Sequence, residues 1–236
     1  MAMTLIVVAV VSGALLLGAA WGLWGRLSAE LEGFLVALAG GALLFSVVRE
    51  LIEPSITRGD IWLATCGVAA GALTFAIADF WVDEHWGPKS GGGLLAAITL
   101  DGIPENLALG VALIGAGPME VAALAGSIFL SNLPEAAGGA KQMRSSGHSK
   151  WRAFWLWTAT AALLSGAAIA GNLGLRGVSE DYLAVIRCFA AGAVVASLAT
   201  EVFPEAYRED KNWSGIATSL GVILALLLGT LAPAGG

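Results

Sequence analysis

The sequence predicts an all-α, polytopic membrane protein with eight transmembrane helices, and three observations carry that prediction. Hydrophobic residues make up 57% of the 236 and charged residues 13%, against the roughly 25% charged residues of an average globular chain. The mean hydropathy is +0.80. Apolar runs of about 20 residues, the length that crosses a bilayer, recur along the whole chain with only short polar or glycine–proline punctuation between them.

Taken in order, the runs are 4–24, 31–53, 62–82, 92–115, 118–139, 151–174, 181–207 and 213–232, and they read as one transmembrane domain, 1–236. The first lacks a basic n-region and is longer than a signal-peptide core, so it reads as a retained helix. Trp24, Trp62, Trp81, Trp86, Trp151 and Trp213 fall near the ends of the runs, where aromatic belts collect at membrane interfaces. Glycine and alanine fill the interiors, and the 32 glycines fit close helix–helix approach in lipid.

With the N-terminus outside, the cytoplasmic loops hold Arg26, Lys89, Lys141, Arg144, Lys150, Arg152, Arg208 and Lys211, eight of the 12 basic residues. The positive-inside rule therefore favours both termini outside. A net charge of −6 argues against nucleic acid as a partner, which demands basic patches. Cys66 and Cys188 both lie in apolar stretches, so neither a disulfide framework nor a CxxC metal pair is expected.

Acidic side chains in hydrocarbon each cost on the order of 3 kcal/mol and usually face partners, water or ions. Glu50, Asp101, Glu105, Glu135 and Glu201 lie deep in the runs. Asp79, Glu53 and Glu205 lie nearer the run ends and read as solvated carboxylates. Three related segments stand out: Asp101-Gly-Ile-Pro104-Glu105-Asn106, Ser131-Asn132-Leu-Pro134-Glu135-Ala136 and Glu201-Val-Phe-Pro204-Glu205-Ala206. Each is a polar residue, two spacers and Pro-Glu, which puts the polar residue and the glutamate on one helix face. Proline inside a helix also frees the carbonyl four residues back, here that of Leu100, Leu130 or Thr200. A kink needs no buried carboxylate, and several carboxylates in one low-dielectric site repel unless a cation or protons neutralise them. A divalent metal does so most directly.

Sliding the chain by 151 residues lays Ala39, Gly41, Ala42, Ser46 and Glu50 on Ala190, Gly192, Ala193, Ser197 and Glu201. By the span count these two helices cross the membrane in opposite directions. Inverted repeats of this kind mark transporters that bind at the midplane.

The run Asp101-Gly-Ile-Pro-Glu-Asn-Leu-Ala-Leu-Gly110 resembles the HNxPEGLALG signature in the fourth helix of the ZIP (Zrt/Irt-like) metal transporters. Ser131-Asn-Leu-Pro-Glu-Ala-Ala137 resembles the HExPEG signature of the fifth, and Glu201-Val-Phe-Pro-Glu-Ala206 the ExxPEA end of the seventh. The resemblance implies a 3+2+3 arrangement with an inverted repeat, both ends outside, and a midplane metal site built on the fourth and fifth helices with further ligands from the second and seventh. It assigns the metal-ligand positions to Asp101, Glu105, Ser131, Asn132, Glu135 and Glu201, with Glu50 near the ligand region of the second helix.

The chain departs from the signatures where imidazoles are expected: Asp101 and Ser131 stand in place of the two histidines. Oxygen donors suit harder cations such as manganese, although zinc also accepts carboxylates. His85 and His148 fall in predicted loops and read as solvated.

The function expected is a divalent metal cation transporter for zinc or a related metal (Mn, Fe or Cd), moving it inward across a bacterial-type plasma membrane. No permanent cofactor and no enzymatic activity are expected; the partners are the metal ion, the lipid bilayer and, from the resemblance and the glycine-rich helix faces, a second copy of the chain. A non-transporting metal sensor or scaffold with a degenerate site is an alternative. An intramembrane metal-dependent hydrolase is another, although the chain has no HExxH motif.

Overall fold

The computed structural model describes residues 2–58, 60–86, 91–114 and 121–231. All regular structure among them is helical. We number the helices α1 Ala2–Trp24; α2, Ala29–Val47 continued by a π-helical turn Val48–Ile52 and an α-helical end Glu53–Arg58; α3 Ile61–Trp86; α4 Gly91–Ala112; α5 Ala122–Ser145; α6 Lys150–Gly174; α7, Glu180–Ser197 continued by a π-helical turn Leu198–Val202 and an α-helical end Phe203–Glu209; and α8 Ser214–Leu231. The expected residues 115, 118–120 and 232 lie outside the described residues.

Five of these helices contain stretches long and apolar enough to cross a membrane: Thr4–Trp24, Ala29–Thr57, Ile61–Val82, Lys150–Gly174 and Glu180–Glu209; Ser214–Thr230 is a shorter apolar helix. The helices α4 and α5 are not among the five. They carry Asp101, Glu105, Asn106, Asn132 and Glu135, and such side chains lower hydropathy in helices that face neighbours rather than lipid.

The π turns have a local cause. Proline cannot donate a hydrogen bond, and its ring collides with the carbonyl four residues back. One turn of wider helix accommodates the collision: the Glu53 amide bonds Val48 O one residue before Pro54, and the Phe203 amide bonds Leu198 O one residue before Pro204. Ser28 caps α2, its hydroxyl accepting from the Leu31 amide at 3.3 Å, and Ser149 caps α6 in the same way from Arg152 at 3.2 Å.

Packing sorts the helices into two groups. In the first, α1 lies along α5 and α6, and α4 along α6; in the second, α2 lies along α8 and α3 along α7. Glycines set the closeness of the second group. A Cβ at Gly41 would overlap the Thr218 carbonyl and one at Gly221 the Leu38 carbonyl, while Gly192 and Gly71 stand in the same relation to the Val68 and Phe189 carbonyls. Backbone contact of this kind supplies the dispersion energy that replaces the hydrophobic effect in lipid.

The groups join where α2 meets α5 and α4 meets α7. At that seam α2 and α7 run antiparallel, since Gly33 faces Ala206 and Asp210 while Gly40 faces Val202 and Phe203. One end of the seam is an apolar layer including Val47, Leu51, Leu109, Leu113, Val121, Leu124, Ile128 and Val194.

A carboxylate-lined cavity as candidate metal path

The other end of the seam encloses a cavity of about 440 Å³. From α2 it is lined by Glu32, Val36, Ala39 and Leu43, from α3 by Asp79, from α4 by Asp101 and Glu105, and from α5 by Ser131, Pro134, Glu135, Gly138, Gly139 and Gln142. Residues between Ser197 and Arg208 of α7, Glu201 and Glu205 included, complete the wall. Leu43 and Leu198 belong both to the cavity wall and to the apolar layer, so they form its floor. Its mouth lies where α2 begins and α5 and α7 end, at the exposed residues Gln142 and Arg208.

The Pro-Glu segments explain how carboxylates reach this place. Asp101 and Glu105, spaced four apart, present both carboxyls from one face of α4. Ser131 and Glu135 do the same from α5, and Glu201 and Glu205 from α7. Asp101 shares side-chain hydrogen bonds with Ser197 and Glu201 of α7, and Glu201 shares one with Asp79 of α3. Two carboxyls at hydrogen-bonding distance need a proton or a cation between them. Glu135 lies within electrostatic reach of Glu105, Glu201 and Glu205. Asp101 Oδ1 and Glu201 Oε1 are buried and without a hydrogen-bond partner, acceptors with capacity left for a ligand.

At the mouth, Lys141 Nζ of α5 lies 2.9 Å from Glu32 Oε2 of α2. Gly138 makes room for that carboxylate, because a Cβ there would overlap Glu32 Oε1. Arg208 pairs with Glu205 at 3.6 Å and Glu209 at 3.2 Å.

Of the residues expected from sequence, Asp101, Glu105, Ser131, Glu135 and Glu201 line this one cavity. Asn132 is buried beside it, and its amide donates to Val11 O of α1 at 3.3 Å. Glu50 sits in the π turn of α2, half-buried, and is not among the lining residues. Among the described residues no three His, Cys, Asp or Glu side chains stand close enough together to hold one ion, so the carboxylates line a path in this conformation rather than forming a closed cage.

Several readings made from sequence are corrected by the placement. Asp79 and Glu205, expected as solvated carboxylates at span ends, line the cavity. Glu32 and Ser197 were not singled out as ligands, and both line it as well; for Ser197 the signal was its coincidence with Ser46 in the repeat. His85 belongs to the last turn of α3 rather than to a loop, stacked on Trp81 with centroids 4.9 Å apart, away from the cavity. Both cysteines are free thiols, Cys66 exposed on α3 and Cys188 buried on α7.

These features define an integral membrane protein of the helical-bundle class with a central acidic cavity. No family model matches the chain. The curated proteins it is similar to include two "Zinc transporter ZIP11" proteins. The human one is 34% identical over 148 residues, 57% of this chain and 41% of that protein. The one from Xenopus tropicalis is 33% identical over 168 residues, 65% of this chain and 48% of that protein. The chain spans under half the length of the curated relatives it matches.

Proposed function

We propose that the chain is a ZIP-family transporter that carries zinc or a related divalent metal (Mn, Fe or Cd) through the carboxylate-lined cavity, and that it is not an enzyme. The observation that carries this reading is the meeting of all three Pro-Glu segments, from α4, α5 and α7, on one cavity within an apolar bundle. The similarity to proteins named as zinc transporters supports it.

In this reading Asp101, Glu105, Glu135 and Glu201 supply carboxylate oxygens. Ser131 adds a hydroxyl, and Asn132 and Glu50 join as the bundle rearranges. An ion enters partly dehydrated, and the low-dielectric walls strengthen its attraction to the carboxylates. The buried acceptors on Asp101 and Glu201 replace part of its water shell.

The 3+2+3 inverted repeat belongs to the same proposal. Its support is the matching of α2 with α7: both carry a π turn before proline, and α2 packs on α8 through Gly41 and Gly221 as α7 packs on α3 through Gly192 and Gly71. The expected cytoplasmic basic residues are mostly in helix ends rather than loops, Lys141 and Arg144 in α5, Lys150 and Arg152 in α6 and Arg208 in α7. Their clustering on the side where α1, α3, α5 and α7 end supports an N-out, C-out orientation, proposed for a bacterial-type plasma membrane. The cavity mouth then faces the cytoplasm, and transport runs inward. A homodimer through exposed apolar helix faces is part of the proposal.

The test is uptake by proteoliposomes of Zn, Mn, Fe and Cd ions, comparing the unmodified protein with Glu105→Gln and Glu135→Gln. Flux of at least one ion that falls in both variants is the expected result. No flux of any ion, or flux unaltered in the double variant, removes the reading.

A further inference from the structure

The spans Thr4–Trp24 and Lys150–Gly174 meet at one corner of the bundle, where α1 ends and α6 begins. Aromatic rings run across that junction. Trp24 stands edge-on to Trp151, with centroids 5.6 Å apart, and to Phe154 at 5.7 Å; Phe154 in turn meets Trp155 at 6.2 Å. The rings are not buried by one another, since Trp24 is 46%, Trp151 65% and Trp155 63% exposed. Indoles, apolar in body with a single N–H donor, collect at the level of lipid headgroups.

Basic side chains gather at the same corner. Residues 146–149 join α5 to α6 in so short a turn that Arg144, at the end of α5, neighbours Lys150 and Arg152 at the start of α6. Arg144 Nη1 donates to Leu23 O, beside Trp24, at 3.2 Å, which leaves most of the five guanidinium N–H donors unused. Arg26 follows Trp24 by two residues, in a turn held against α1 by the Trp21 indole, which donates to Arg26 O at 3.3 Å.

These cations lack carboxylate partners. No Asp or Glu occurs between Glu135 and Glu180, and none of Arg26, Arg144, Lys150 and Arg152 enters an ion pair among the described residues, whereas Arg49, Lys141, Arg187 and Arg208 each do. In a chain of net charge −6, the corner is a local excess of positive charge. The capped start of α6 adds the positive end of a helix dipole.

We propose that this corner binds an anionic phospholipid, with the phosphate among Arg26, Arg144, Lys150 and Arg152 and the acyl chains along the exposed rings of α1 and α6. Arginine forks match phosphate oxygens, and basic pockets between helices at the membrane surface hold such headgroups. A zwitterionic lipid brings the same chains, but its own cationic group meets like charge. A soluble phosphate ester brings no chains to lie on the rings. The inference stands apart from the transport reading, because it needs the membrane but not the cavity.

The test is native mass spectrometry of the detergent-solubilised protein titrated with dioleoylphosphatidylglycerol, dioleoylphosphatidylcholine or glycerol 3-phosphate. Phosphatidylglycerol is expected to be retained with a midpoint about tenfold lower than phosphatidylcholine. Equal retention of the two lipids overturns the proposal, and displacement of phosphatidylglycerol by an equal concentration of glycerol 3-phosphate overturns the lipid as the occupant. Neither comparison needs a variant.

Substitutions then locate the site. Arg26→Gln/Arg152→Gln weakens retention of phosphatidylglycerol about tenfold, as for two basic residues at a lipid surface. Arg49→Gln/Lys211→Gln, at exposed positions elsewhere, changes the net charge equally and keeps retention within about twofold. Equal losses in the two double variants, or no loss in the first, overturn the placement of the lipid at this corner. Trp151→Leu keeps an apolar side chain but removes the ring, and weakens retention several-fold; unaltered retention there overturns the part assigned to the rings.

Discussion

Lys141 Nζ and Glu32 Oε2 lie 2.9 Å apart and tie the end of α5 to the start of α2 across the cavity mouth. The lysine side chain is 41% exposed and the glutamate 9%, so the carboxylate bears most of the desolvation. Removing the lysine leaves a largely buried charge without its ion-pair partner, which costs more than removing the pair together. Lys141→Met is expected to destabilise the protein by about 1–3 kcal/mol, and Glu32→Gln by less. In the double variant part of the loss is recovered. Thermal unfolding in detergent measures all three, and additive losses would show that the two side chains do not interact.

Close backbone contact makes a sharper prediction at the glycines. A methyl group at Gly192 would overlap the Val68 carbonyl of α3, and one at Gly41 the Thr218 carbonyl of α8; at Gly166 nothing stands within 4 Å. Gly192→Ala and Gly41→Ala force their helix pairs apart and lower the melting temperature. Gly166→Ala keeps or raises it, since alanine favours the helix by about 1 kcal/mol over glycine. Equal effects at the three positions would contradict the packing.

How much of this was legible in the sequence follows from what a one-dimensional pattern encodes. The Pro-Glu segments were legible because three copies of one spacing exceed what bending a helix requires, and Asp101, Glu105, Ser131, Glu135 and Glu201 do line one cavity. The pairing of Glu32 with Lys141 was not, since it joins residues 109 apart in the chain through a fold-dependent contact. Asp79 was missed for a related reason. A helix apolar on most of its circumference gives no rotational phase, so depth alone assigned Asp79 to solvent while the packing of α3 on α7 turns it inward. The π turns left a trace in Pro54 and Pro204, but proline alone does not separate a kink from a widened turn: Pro104 and Pro134 lie within α-helix.

The freed geometry before Pro204 has its own test. The wide turn Leu198–Val202 displaces Glu201 along and around the helix relative to a regular α-helix. Pro204→Ala restores the missing amide and lets the turn relax, which shifts Glu201 away from Asp101 and Asp79. Metal uptake should fall while the folded protein becomes no less stable; uptake at the unmodified level would mean that the turn does not set the position of the carboxylate.

Asp79 offers the most discriminating substitution outside the Pro-Glu segments. It lines the cavity from α3 and meets Glu201, so it contributes charge to the same path and fixes the orientation of a proposed ligand. Asp79→Asn retains the shape and hydrogen-bonding capacity but removes the negative charge, and is expected to lower metal uptake about tenfold or more, as for loss of one charged ligand contact of ~1.4 kcal/mol. Glu84, exposed in the last turns of the same helix, serves as the control: Glu84→Gln changes the net charge equally and leaves uptake within about twofold, because an exposed charge is screened by solvent. Equal losses in the two variants would assign the effect to net charge, and no loss in Asp79→Asn would place α3 outside the ion path.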